Sequence, residues 1–425
     1  MFEKTRSFAL ELDAQDRLGD FQKWFLFPET NGAKNVYFLG NSLGLQPVSA
    51  RLALAKVLQQ WADLGVESFF KGKEPWLEFH QQLASKLAVI VGAKPSEISI
   101  MNQLSVNIHL MLASFYNPVG RRKKILIEAK AFPSDQYALD SFLRMLGADP
   151  KDVLIEISAG SENDSIDDAD IFRMIKQHGD DIALVFLGGV NYYTGQLFDI
   201  QKITAVAHEV GAVVGFDLAH AAGNVSLELH DWDVDFACWC SYKYLNAGPG
   251  AMGAVFINER FHKNQSMNRL AGWWGNKEEN RFLMNRDFDP ASDATGWQLS
   301  TPSILLFACL KASLSIFEHA GWNNILAKQD LMKRWLKFLL DDLIDADTSG
   351  AIKCLTPTSR GCQVSLYFAK NGKKVFEKIT SKGFMVDWRE PGVIRLAPVP
   401  LYNSFTEIWD FYEALRTILS EIKSN

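Results

Sequence analysis

Apolar positions recur at helical spacing from about residue 47 to residue 91, with Leu52, Ala55, Leu58 and Trp61 on one face and Trp76, Phe79, Leu83 and Leu87 on another. A loop at 65–75 separates the two helices. After Pro95 the period changes. Short apolar, strand-like runs at 97–101, 124–128, 153–157, 183–187, 212–217, 236–240 and 254–257 alternate with helical stretches. Strands buried on both faces read as continuous apolar runs, so seven of them separated by helices predict a mostly parallel sheet sandwiched by helices. One unit is especially clear: strand 183–187, a loop ending near Asp199, a helix at 200–210, Gly211 as its stop, and strand 212–216.

Periodicity fades at 264–303, where Gly, Asn and Asp collect, and a long loop is expected there over the sheet edge or at a subunit contact. Two amphipathic helices follow at 304–319 and 324–343, then strands at 363–368, 384–387 and 393–398 with helices at 375–382 and 405–422. The predicted fold class is therefore α/β: a large domain with a seven-stranded, mostly parallel sheet between helices, plus a smaller α+β domain from the C-terminal part and the N-terminal segment. In residues, this reading divides the chain into an N-terminal arm at 1–75 packing on the small domain, a large ligand-binding domain at 76–305, and the small domain at 306–425.

Composition narrows the class. The 425 residues are 48% hydrophobic and 22% charged with 14 prolines, which places the chain among folded globular proteins. Lys plus Arg total 44 against 50 Asp plus Glu, a net charge of −6 that lacks the basic excess of a nucleic-acid binder. No apolar run reaches the roughly 18 residues of a membrane span, and residues 1–16 lack the apolar centre of a signal peptide, so a cytoplasmic protein is expected. Five cysteines without ligand-like spacing read as reduced thiols. Of eight histidines only His220 falls at a predicted site, and no metal site is expected.

Candidate chemistry gathers where strands end. Asp217-Leu218-Ala219-His220 closes one strand and Ser241-Tyr242-Lys243-Tyr244 follows another, with Lys243 26 residues after Asp217. Open α/β sheets bind ligands at the carboxyl ends of their strands. An Asp and a Lys there fit a pyridoxal phosphate site, the Asp holding the pyridine nitrogen protonated and the Lys forming a Schiff base. They also fit a structural cap and a solvated lysine. Asn102 to Asn107 places Ser105 where a helix would begin, a place suited either to an anion or to an ordinary Ser N-cap. Phe132-Pro133-Ser134-Asp135 offers an aromatic to stack on a flat ring, or simply a proline opening a helix. The run from Phe38 to Pro47 enters a Gly-bounded turn with Asn41 and Ser42. Arg395, inside an apolar strand, needs an anion, either a substrate carboxylate or an internal acid.

Together these segments resemble the kynureninase family. The resemblance runs over roughly residues 35 to 420 and includes Asn191-Tyr192-Tyr193-Thr194-Gly195-Gln196 and Gly272-Trp273-Trp274-Gly275. It is most specific at 239–246 and 395–405, whereas the Asp and Lys pair is shared across the aspartate-aminotransferase-like superfamily. The resemblance implies a homodimeric pyridoxal 5'-phosphate enzyme, with active sites at the subunit interface, that hydrolyses L-kynurenine or its 3-hydroxy derivative to the corresponding anthranilate and L-alanine in tryptophan degradation. It casts Lys243 as the Schiff-base lysine, Asp217 as the pyridine partner and Tyr242 as a phosphate contact that relays a proton. Leu104 and Ser105 correspond to the phosphate cradle, Phe132 and Asp135 to ring contacts, His220 to a neighbour of the cofactor, and Trp273 to a phosphate contact from the partner subunit. Ser134, Gly188 and Thr301 fall at further cofactor positions. Arg395 corresponds to the clamp for the substrate carboxylate, with Asn41, Ser42 and Phe69 as further substrate contacts.

The chain departs from its animal relatives in three places. Thr301 stands where they carry Asn, Gly188 where they carry a small polar residue, and loop 65–75 offers Ser68, Phe69 and Phe70 without their His. Since hydrogen-bonding residues discriminate ring hydroxyls more sharply than apolar walls, these changes favour unsubstituted kynurenine. The competing readings are an aminotransferase, a cysteine desulfurase with an activated Cys, and a non-catalytic scaffold of the same fold.

Overall fold

All seven strands expected before residue 260 form, within residues 2–160, 165–264, 266–347 and 349–423 that the computed structural model describes. They are β1 (Ile98–Ile100), β2 (Lys124–Glu128), β3 (Leu154–Ile157), β4 (Ile182–Gly188), β5 (Val213–Asp217), β6 (Phe236–Cys240) and β7 (Gly253–Ile257), in the spatial order β1-β7-β6-β5-β4-β2-β3. β7 alone runs antiparallel to its neighbours β6 and β1. The chain between β6 and β7 therefore reverses at the carboxyl end of the sheet, and that reversal carries Lys243. β5 and β6 pair from Gly215 opposite Phe236 to Asp217 opposite Cys238. A Cβ at Gly215 would lie 2.0 Å from the Phe236 ring, so this strand position admits only glycine at the observed packing.

Strands β4 to β7 are buried almost throughout because helices cover both faces. The segment 264–303 lies over edge strand β1 as expected, tightened by helical turns at Trp273–Gly275, Glu278–Arg281 and Ala294–Trp297. The buried Trp297 indole donates to Ser114 Oγ at 3.0 Å, and Gln298 Nε2 to the Ile100 carbonyl at 3.5 Å. The long helices follow as Ile304–Ala320 and Trp322–Asp345. Among the described residues no single helix is long and apolar enough to cross a membrane; those two pass only jointly, across a 78° bend.

A second sheet takes the order β8 (Ile352–Cys354), β9 (Val364–Phe368), β11 (Val393–Leu396), β10 (Asp387–Arg389). β8 escapes sequence reading because it has three residues, two of them exposed. The predicted strand 384–387 splits: Phe384–Met385 leaves to pair with Val36–Tyr37 of the N-terminal segment, while Asp387 stays in the sheet opposite Arg395. Asp13 accepts from the amides of Phe405 and Thr406 at 2.7 and 3.0 Å, tying the N-terminal helix Arg6–Ala14 to the last helix, Phe405–Lys423.

One expected face is not covered within the chain. Helix Ala50–Leu64 forms, but it buries Ala50 and Val57, while Leu52, Leu58 and Trp61 are 61, 49 and 57% exposed. The helical period was right; the side it turns to this chain's core is the other one.

Candidate active site

At the carboxyl ends of β2, β4, β5 and β6 lies a cavity that brings together Leu104, Ser105, Phe132, Ser134, Asp135, Gly188, Asp217, His220, Tyr242 and Lys243. Two helices begin there. Helix Leu104–Phe115 has Gln103 at its N-cap and no side-chain cap, so Ser105 lies inside the first turn and does not cap the helix. Its hydroxyl meets that of Ser134, in the first turn of helix Pro133–Met145, at 2.6 Å. Two hydroxyls and two helix N-termini thus converge, a combination that favours an anion. Pro133 does open its helix, and Phe132, at the N-cap, nevertheless lines the cavity. The Phe132 ring stands edge-on to Tyr192, centroids 5.2 Å apart, and 5.8 Å from Lys243 Nζ.

Lys243 is held by its backbone and left free at its tip. Its carbonyl accepts from Asn246 N at 3.0 Å, and the preceding Tyr242 carbonyl accepts from Gly44 N at 2.8 Å. A Cβ on Gly44 would sit 2.3 Å from the Lys243 carbonyl, so the glycine of the N-terminal loop is what permits this contact. Lys243 Nζ has no hydrogen bond or salt bridge among the described residues, although the residue is only 9% exposed.

The charges around it are unequal. Asp217, buried and accepting from Ala219 N at 2.7 Å, is pushed up by burial while Lys243 opposes the rise. Asp135 is held well above the usual carboxylate range by burial and then by the charge of Asp217. Burial, reinforced by Lys243 and Arg395, holds His220 well below its ordinary value as a neutral imidazole. Burial also raises Tyr242, which stays a phenol.

Of the substrate residues named from sequence, Arg395, Asn41 and Ser42 gather beside this cavity through partners that sequence did not reveal. Arg395 meets an internal acid, Asp387, and donates through Nη1 to the Tyr192 carbonyl, while its Nε has no partner. Asp387 also accepts from Arg389 at 3.1 Å and from Ser42 Oγ at 3.4 Å. Two guanidiniums on one carboxylate leave the cluster a net cation. Asn41 Nδ2 donates to Gln363 Oε1 at 3.0 Å, and Asn41 Oδ1 is buried without a partner. Glu128, which ends β2 much as Asp217 ends β5, was legible by that parallel; Tyr192, Gln363 and Asp387 carried no comparable signal.

Phe69, Trp273 and Thr301 lie elsewhere. Phe69 packs on Trp76 and Trp274, the Trp273 indole is 45% exposed and donates to the Arg281 carbonyl at 2.8 Å, and Thr301 is exposed. All three ride on the loops at 65–75 and 264–303, outside the strand ends that form this chain's cavity.

The donor set fits pyridoxal phosphate. It offers a free buried amine, a carboxylate at a strand end, an aromatic face and an anion cradle, with Asp135 Oδ1 and His220 Nδ1 both buried without partners. A desulfurase would need an ionisable thiol, yet burial pushes Cys362 up to about 11. No disulfide forms among the five cysteines.

Comparison with known proteins agrees with this geometry. Residues 325–415 match the kynureninase C-terminal domain and residues 38–366 the class-V aminotransferase domain. A kynureninase from Flavobacterium johnsoniae is 46% identical over 418 residues, 98% of each chain, and one from Myxococcus xanthus is 46% identical over 419 residues, 98% of this chain and 97% of its own. Among solved structures, the cysteine desulfurase CsdA of Escherichia coli superposes with a TM-score of 0.75 over 95% of this chain and 99% of its own at 16% identity. A variant of C-DES with glycine linked to its PLP cofactor gives 0.73 over 90 and 96% at 18% identity. At such identities these two structures speak for the fold alone.

Proposed function

The chain belongs to the kynureninase family, and from that premise we propose how its own residues hydrolyse L-kynurenine to anthranilate and L-alanine with pyridoxal 5'-phosphate. The observation that carries this reading is the free Lys243 amine, buried in one cavity with Asp217 and beside the cationic Arg395 cluster. When bound, the cofactor supplies an electron sink for the substrate's Cα. Asp217 would hold the proton on its ring nitrogen, Phe132 would pack against the ring, and the Ser105 and Ser134 hydroxyls would hold the phosphate together with the first-turn amides of their helices. Arg395 takes the substrate carboxylate, and Asn41 and Ser42 close the same side. Lys243 Nζ, with no other partner, removes the Cα proton. Water adds to the γ-carbonyl, the Cβ–Cγ bond breaks with its electron pair remaining on Cβ, and anthranilate departs. Tyr242, held neutral by burial, delivers a proton to Cβ and regains one from the newly formed carboxylic acid, and Lys243 Nζ returns its proton to Cα, which completes alanine.

Unsubstituted kynurenine is the preferred substrate in this reading, supported by the apolar Phe69 and Phe70 and by Gly188 at a position where no side chain can bond. Purified protein with cofactor should release anthranilate and alanine in equal amounts, with a higher kcat/KM for L-kynurenine than for 3-hydroxykynurenine. Cleavage of neither ketone would overturn the assignment, and a reversed ratio the preference.

We further assign a homodimer that completes each site at the interface. Its support is the uncovered apolar face of Leu52, Leu58 and Trp61, and the position of Trp273, Phe69 and Thr301 outside their own chain's cavity. Light scattering should give twice the chain's 47.8 kDa; a monomeric mass with full activity would sink it. Tryptophan catabolism, feeding NAD biosynthesis, is the pathway that matches this reaction, and the unpaired cysteines support a cytoplasmic setting.

A further inference from the structure

Glu128 ends β2 at the floor of the cavity, 4% exposed, and is given no part in the chemistry above. Its two oxygens each accept one bond: Oε1 from Gly188 N at 3.3 Å, and Oε2 from Asn191 Nδ2 at 2.8 Å. Asn191 in turn shapes the turn that follows β4. Its Oδ1 accepts from Tyr193 N at 2.9 Å, from Thr194 N at 2.8 Å and from Thr194 Oγ1 at 3.1 Å. The carbonyls of that turn point the other way, into the second sheet. Tyr192 O accepts from Arg395 Nη1 and from Gln363 Nε2 at 2.9 Å, and Tyr193 O from Ser365 Oγ at 2.6 Å. A continuous hydrogen-bonded path therefore runs from a carboxyl beside Asp217 to the guanidinium that faces the substrate.

We propose that Glu128 is a positioning residue for the substrate-carboxylate clamp, fixing Asn191 and through it the Tyr192 carbonyl that orients Arg395. The inference rests on the assignment of Arg395 as that clamp. Its physical basis is geometric: guanidinium recognition of a carboxylate depends on a fixed planar fork, and among the described residues the Tyr192 carbonyl and Asp387 are the hydrogen-bond partners that set the plane of Arg395. If the turn shifts, the fork turns with it, while the cofactor contacts at Ser105, Ser134 and Asp217 stay in place.

The polarity of the path supplies the test. Glu128→Gln keeps size and the acceptor for Gly188 but turns an amide N–H toward Asn191 Nδ2, donor against donor. On the holoenzyme, KM for L-kynurenine and the inhibition constant of L-alanine should both rise roughly tenfold, the worth of about one charge-assisted hydrogen bond. Inhibition by anthranilate, which lacks the amino-acid carboxylate, and cofactor affinity measured by visible-absorbance titration should stay within about twofold, less than half a kcal/mol. Adding Asn191→Asp restores a donor facing an acceptor at every bond, and the double variant should recover alanine binding. That recovery also decides the matter if the single variant fails to fold. Unchanged alanine inhibition in the single variant, equal weakening of alanine and anthranilate, or no recovery in the pair would overturn the proposal. Arg395→Lys run in parallel separates the two failures: if it leaves alanine inhibition unchanged, it is the clamp assignment that falls.

Discussion

Lys243→Ala should release anthranilate at least a thousandfold more slowly than the wild-type chain, and should lose the visible absorbance of covalently held cofactor. The size follows from the two tasks proposed for one amine, holding the cofactor and moving the Cα proton; general-base transfer alone is worth about 10² to 10⁴ in rate. Fold stability should change little: among the described residues the Lys243 side chain makes no hydrogen bond or salt bridge, the bonds of this turn run from Asn246 N to the Lys243 carbonyl and from Gly44 N to the Tyr242 carbonyl, and what is lost is the charge that opposes the rise of Asp217. Thermal melting beside anthranilate fluorescence checks both halves. A melting temperature near wild type with turnover lost identifies Lys243 as catalytic, whereas turnover near the wild-type rate would refute the assignment.

Arg395→Ala should lower kcat/KM by roughly a hundredfold or more, since the proposed clamp would lose two charge-assisted bonds of about 1.5 to 3 kcal/mol each to the substrate carboxylate. Here the fold also responds. Arg395 is 1% exposed and packed between Asp387 and the Tyr192 carbonyl, so truncation leaves a cavity and a half-buried acid, softened by Arg389 at 3.1 Å. Arg395→Lys is the cleaner variant: it keeps the charge against Asp387 and loses only the fork, so most of the loss should persist. Steady-state kinetics with either variant decides the role, and an unchanged kcat/KM would end it.

Much of this was legible because strands and strand ends are local. The seven apolar runs found their places within a residue or two, since a strand covered on both faces has no freedom to alternate polar and apolar positions. Asp217, Lys243, Ser105 and Phe132 were marked by the same logic, as polar or aromatic groups at ends of apolar runs. Glu128 obeys it too, at the end of β2. The partners of Arg395 were not legible, because Asp387 reaches it by strand pairing and Tyr192 by a turn 203 residues away.

The chain's order of residues thus settles the period of each element, the burial of the central strands and the kind of chemistry gathered at their ends, all properties carried by neighbours in sequence. Only the folded arrangement decides which strand runs backwards, which side of helix Ala50–Leu64 faces this chain's core, and how Arg395 is divided between Asp387 and the Tyr192 carbonyl. Those depend on contacts between distant segments, where burial and unpaired donors are balanced across the whole molecule and no local window contains both partners.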